Sequence, residues 1–129
     1  MKMNQVRSQI QSMLHVESGA DGFRATFKAD SDFMLFRDHF RGRPVVPGIS
    51  LIQAVLLAGA AHEGADDLRL CALKNAKFFA AVLPDDQVLI DAAVVRGEDS
   101  TVDIKANLTV NQKRLAQIAL TARPAPAGR

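Results

Sequence analysis

His39-Phe40-Arg41-Gly42-Arg43-Pro44-Val45-Val46-Pro47-Gly48, with the apolar run Ile49 to Ala61 behind it, decides how the rest of the chain is read. Two prolines and two glycines in ten residues make a rigid, specially shaped turn. Pro47 and Gly48 sit at or just before the first turn of a helix, which the pattern predicts over about residues 48–63, with Gly64 as its stop signal. From Ile49 to Ala61 only Ser50 and Gln53 are polar. A helix that is apolar on nearly every face belongs inside a core. It falls short of the roughly 20 apolar residues a membrane span needs.

One residue at each end of this unit has chemical potential. His39 precedes the turn, and Gln53 lies inside the apolar helix. A buried glutamine needs hydrogen-bond partners or it costs stability. The helix start offers free backbone N–H groups and a partial positive charge, suited to a carbonyl oxygen or an anion.

Outward from the helix the chain is mostly β. Before it, Val6, Ile10, Met13 and Leu14 recur at helical spacing within residues 3–14. Ser18 to Gly22 is turn-like, and Phe23 to Ala29 alternates, with Phe23, Ala25, Phe27 and Ala29 on one face. After it, residues 68–79 read as a long or bulged strand, 83–86 as a turn, and 87–96 as a second strand. Thr101 to Val110 places Val102, Ile104, Ala106, Leu108 and Val110 on one face, with Asp103, Lys105, Asn107 and Thr109 on the other. Asn111-Gln112 makes a hairpin turn into Lys113 to Ala122, where Ala116, Ile118, Leu120 and Ala122 share a face. The class is α+β: an antiparallel sheet with one wet face, wrapped around one buried helix. A single domain over residues 1–122 is expected, with 123–129 as a disordered tail.

Composition narrows the functions. A length of 129 residues suits one domain with a real core. The net charge of +2 gives no reason to expect nucleic-acid binding, and with Trp and Tyr absent a base-stacking platform is not expected either. The single cysteine, Cys71, forms no internal disulfide and fits a reducing compartment; it reads as a small core residue. No apolar leader follows the first residues, so a cytoplasmic protein is expected. No metal-ligand cluster and no phosphate-cradling glycine loop is visible, and no cofactor is expected.

The pattern His-Phe-x-Gly-x-Pro-Val-x-Pro-Gly followed by a long apolar helix resembles the hot-dog-fold β-hydroxyacyl-acyl-carrier-protein dehydratases. Asn75 to Phe78 and Leu83 to Asp86 match the later order of elements, so the resemblance covers about residues 20–122. It implies a hot-dog fold, a curled antiparallel sheet around one long helix. It also implies loss of water from a 3-hydroxyacyl thioester, or the reverse, in fatty-acid or polyketide-type synthesis. On the matching positions His39 is the base that takes the C2 proton, a job for which histidine suits. The Gly48 N–H polarises the thioester carbonyl, and Phe40, Val46 and Pro47 line the substrate. In this family two protomers pair sheet to sheet, each site drawing its histidine and its acid from different chains. The expected partners are an acyl-carrier-protein or coenzyme A thioester and a second copy of the chain, with a heterodimer as the alternative.

The chain departs from the family at two positions: Arg41 stands where proline is usual, and Gln53 where a Glu or Asp is usual. An amide cannot give up a proton as a carboxylic acid does. Three readings follow. The first is a dehydratase-type enzyme using His39 and an altered second group. The second is a catalytically silent hot-dog subunit that binds acyl chains or partners an active homologue. The third is a thioesterase in which Gln53 orients water. Asp38 and Glu63 are the carboxylates nearest in sequence, and neither occupies the acid's position. His15 and His62 lie outside the motif and read as solvated; Phe78 and Phe79 read as core or tunnel wall. Arg41, Arg43, Lys74 and Lys77 read first as a solvated face and second as a greeting for an acidic carrier.

Overall fold

Period-two alternation builds the sheet, and the apolar run builds the helix it curls around. The computed structural model describes residues 3–29 and 48–125, with side chains described from Ser8 onward. The elements are α1 (Met3–Met13), β1 (His15–Ser18), β2 (Gly22–Lys28), α2 (Gly48–Glu63), β3 (Leu68–Phe78), β4 (Gln87–Arg96), a 3-10 turn at Glu98–Ser100, β5 (Val102–Val110) and β6 (Lys113–Pro124). The strands form one antiparallel sheet in the order β1-β2-β4-β5-β6-β3. This is the expected hot-dog architecture.

The expected faces hold. Phe23, Ala25, Phe27 and Ala29 are buried, as are Val102, Ile104, Ala106 and Leu108 of β5 and Ala116, Ile118, Leu120 and Ala122 of β6. Their partners in the alternation point outward. Nine residues of α2, from Ser50 to Ala60, are buried against this inner face. Fully burying one Val, Leu or Ile contributes about 1.5–3 kcal/mol, so this interface dominates the fold. Among the described residues no helix is long and apolar enough to cross a membrane.

The turns have local causes. Asn111 and Gln112 take φ of 50° and 69°, the double left-handed geometry of a tight two-residue hairpin. At the helix end Gly64 has φ +67°, and the Ala65 N–H donates to the Ala60 carbonyl at 2.9 Å. That left-handed cap stops α2 where the sequence predicts. Asp85 is also left-handed, and the Leu83 N–H donates to Asp86 Oδ2 at 2.8 Å, closing the turn into β4.

Several expectations are corrected. A short strand, β1, was not expected; His15 to Ser18 has no clean alternation and is held by its pairing with Phe23 to Thr26. β6 continues two residues past the expected boundary, because Arg123 pairs with Arg69 and Pro124 with Leu68. Cys71 is exposed; it is the extra residue at a bulge between Leu70 and Ala72 on an edge strand. His62 is mostly buried, with its ring centroid 5.5 Å from that of Phe23. Phe78 and Phe79 are not core, being 46% and 54% exposed.

Candidate functional site

The candidate site starts at the first turn of α2. Of the residues expected to act, Gly48 and Gln53 lie on this helix. His39, Phe40, Val46 and Pro47 lie outside the described residues, as do Asp38, Arg41 and Arg43.

The helix is not sealed evenly. Ile49 is 60% exposed, and Gln53 and Leu56 are half-buried, at positions that follow one another up one face. The line Gly48–Gly59, about a quarter turn round, lies close to the sheet. A Cβ on Gly48 would come within 2.9 Å of the Phe78 ring, and one on Gly59 within 2.9 Å of Leu68 and Ile104. So α2 starts beside the end of β3 and finishes beside its beginning.

Gln53 Oε1 is buried and, among the described residues, has no hydrogen-bond partner. An orphaned buried acceptor costs about 1–3 kcal/mol. Native chains retain one where a ligand, water or ion completes it. The helix start is also incomplete by nature, since its first N–H groups have no partner within the helix.

Next to this end of α2 the sheet's inner face is half exposed. β3 is an edge strand, and its outer backbone row is a template for another strand. Leu70, Leu73 and Phe78 are paired with Ala122, Leu120 and Ala116, all buried on the inner face. Paired residues share a face, so these three large apolar side chains point inward. They are nonetheless 43%, 45% and 46% exposed.

Other groups are accounted for by structure. Glu63 is nearly buried and pairs with Arg96 at 3.3 Å through both carboxylate oxygens, with His62 Nε2 at 3.7 Å. It belongs to the closed end of α2. Lys74 lies 3.5 Å from Asp103. The Thr121 hydroxyl donates to Asp103 Oδ1 at 2.5 Å. That hydrogen bond, aided by Lys74 and opposed by desolvation, holds the Asp103 carboxyl below the ordinary aspartate range. A shallow cavity of about 430 Å³ lies at the β1–β2 turn, lined by Glu17, Asp21, Arg24 and Asp91 among others. It contains neither Gly48 nor Gln53, and its width comes from open solvent rather than from convergent groups. Among the described residues no cluster of His, Cys, Asp or Glu could hold a metal ion. The Glu63–Arg96 pair and the Phe78–Gly48 contact were missed from the sequence. Their partners are about thirty residues apart and carry no periodic signal.

Comparisons with known proteins agree with this fold. The model of the ApeI-like family, described as ApeI dehydratase, matches residues 15–117. A 3-hydroxyacyl-(acyl-carrier-protein) dehydratase FabZ of Clostridium acetobutylicum is 30% identical over 93 residues, covering 67% of this chain and 66% of that protein. The FabZ of Myxococcus xanthus is 32% identical over 90 residues, covering 64% and 59%. The chain thus spans less than two thirds of the length of these curated relatives. Among solved structures, the dehydratase heterocomplex ApeI:P from Xenorhabdus doucetiae superposes with a TM-score of 0.77 at 11% identity, over 92% of this chain and 86% of that one. The PaaI protein of E. coli superposes at 0.65 and 13% identity, over 94% and 89%. These structural likenesses carry the fold, and the match to residues 15–117 carries the family: the chain belongs to the ApeI-like dehydratase family.

Proposed function

We propose that this chain processes acyl thioesters by reversible loss of water from a 3-hydroxyacyl thioester. The observation that carries the reading is Gln53 Oε1, a buried acceptor without a partner among the described residues, on the helix that follows the His39–Gly48 sequence motif. His39 takes the C2 proton. The first N–H groups of α2, beginning with Gly48, donate to the thioester oxygen as negative charge develops there. The C3–O bond breaks as the C2–C3 double bond forms. The Gln53 amide holds the C3 oxygen, its Oε1 accepting from the hydroxyl before departure. The proton taken by His39 goes to the departing hydroxide, so the products are an enoyl thioester and water. Phe40, Val46 and Pro47 line the acyl group. No cofactor enters this scheme.

The substrate is carried on an acyl carrier protein or coenzyme A. The names of the FabZ relatives support the first; a fold neighbour from Streptococcus mutans bound to acetyl CoA, at a TM-score of 0.61, supports the second. The chain works as a dimer or larger assembly. Support comes from the edge position of β3 and the exposed inner-face residues Leu70, Leu73 and Phe78, which a second protomer would cover. Its place is the cytoplasm, which the exposed free Cys71 fits.

A second reading rests on the amide itself. With no carboxylic acid at position 53, the chain would be a binding subunit that pairs with a carboxylate-bearing homologue. The likeness to a dehydratase heterocomplex supports it.

The test is turnover of purified protein with 3-hydroxyacyl and 2-enoyl thioesters, read by mass spectrometry. Interconversion by wild type and its loss in His39→Ala is the expected result. No interconversion by the chain alone, with activity restored by a carboxylate-bearing homologue, selects the second reading.

A further inference from the structure

We propose that Phe78 is a substrate-positioning residue: its ring lies against the first residue of α2 and sets the side from which a thioester carbonyl reaches the Gly48 N–H. The inference rests on the acyl-thioester reading of the site. Its own ground is a contact. A Cβ on Gly48 would lie 2.9 Å from Phe78 Cζ and 3.1 Å from each Cε, so the ring lays the Cζ half of its face over the first residue of α2, and a side chain there would displace it. Side chains on a helix tilt towards its N-terminus, so the ring occupies space immediately beside the unpaired N–H groups. Its remaining surface is 46% exposed.

The strand is built to deliver this ring. β3 carries two one-residue register shifts, between Leu70 and Ala72 and between Leu73 and Asn75. Each shift reverses which face the following residues occupy. Two shifts restore the original face, so Phe78 pairs with buried Ala116 and points to the helix side. Phe79, one residue on, points away and lies 6.0 Å from the Arg114 guanidinium. An apolar ring beside the N–H donors excludes water and strengthens a hydrogen bond to a developing oxyanion. It also blocks approach from the β3 side; on the side of Gln53, Ile49 is 60% exposed.

The ring acts at the carbonyl end of the substrate, so its effect is the same for every chain length. The experiment compares wild type, Phe78→Ala and Phe78→Leu with short- and long-chain 3-hydroxyacyl N-acetylcysteamine thioesters. Turnover, thioester binding by calorimetry and thermal melting are recorded. Misplacing a reacting group costs up to about 100-fold, so kcat/KM in Phe78→Ala should fall about 10- to 100-fold by the same factor for both chain lengths. Phe78→Leu, which keeps apolar bulk, should recover most of it. If Phe78→Ala fails to fold, Phe78→Leu still decides: a smaller, chain-length-independent loss supports the proposal. Wild-type turnover with unchanged variants overturns it while leaving the site reading intact. A loss that grows with chain length also overturns it, since that marks a distant tunnel wall. A wild type that neither binds nor turns over either thioester overturns both.

Discussion

The two ends of α2 are made of the same apolar helix and treated in opposite ways. At the C-terminal end, Gly64 caps the backbone, Glu63 is held by Arg96 and His62, and Gly59 lets the helix settle onto Ile104 and Leu68. At the N-terminal end, Ile49 is exposed, and Leu70, Leu73 and Phe78 of β3 are only half-covered. Among the described residues each end leaves one buried polar atom unpaired: His62 Nδ1 and Gln53 Oε1. They differ in setting. The His62 ring is packed on Phe23, with its other nitrogen facing Glu63. The Gln53 amide stands on the least covered face of the helix. The closed end is completed by contacts among the described residues, while at the other end Ile49, Leu70, Leu73 and Phe78 keep 43–60% of their surface exposed. Stability should therefore respond at the first end and chemistry at the second.

The largest effect is expected at the open end. Gln53→Glu places a carboxyl in a partly apolar setting, where desolvation raises its pKa and keeps part of it protonated near neutral pH. Turnover of 3-hydroxyacyl thioesters should rise by up to about 10²–10⁴-fold, the worth of a positioned general acid, and His39→Ala should remove the gain. No gain together with a lower melting temperature would favour the binding-subunit reading. At the closed end, Ile104→Ala opens a cavity beneath α2. It should cost about 2–5 kcal/mol by urea denaturation, whereas Ile49→Ser at the exposed end should stay within about 0.5 kcal/mol. Equal losses would erase the contrast between the ends.

Smaller effects sharpen it. Arg96→Ala leaves the Glu63 carboxylate with only His62 beside it and should cost about 1–2 kcal/mol. Adding Glu63→Ala should recover part of that loss, measured as coupling in a double-mutant cycle. The smallest effect lies on the outer face, at Asp103. Its carboxyl sits below the ordinary aspartate range in the folded chain. Its contribution is therefore fully present above that ordinary range and disappears as pH falls through the lowered folded value. Thr121→Val, which removes the principal cause, should lower stability slightly at neutral pH, and the difference from wild type should shrink to nothing as pH falls below the folded Asp103 value, read by urea denaturation across pH.

The fold was legible because its signals are local. Alternation in residues 101–110 and 113–122 named the inner face, and the run Ile49–Ala61 named the helix. Gln53 could be singled out as the rare polar residue in an apolar run. Its unequal cover could not, because a helix apolar all round gives no sign of which face its own chain leaves bare. Cys71 read as core since small apolar residues usually are; the bulge that turns it outward depends on β6 pairing. His62 read as solvated because burial at the helix end depends on Phe23, far away in sequence. The Phe78–Gly48 contact needs the fold and both register shifts before it exists.

The central claim, that the open end of α2 adds or removes water at C3 of an acyl thioester, can be read by isotope. A 2-enoyl thioester is incubated with the protein in heavy-oxygen water and the products are resolved by mass spectrometry. The account predicts heavy oxygen in the C3 hydroxyl of an intact 3-hydroxyacyl thioester, dependent on His39. Heavy oxygen in a free carboxylate, with the thioester cleaved, or no labelled product beyond that of His39→Ala, would contradict it.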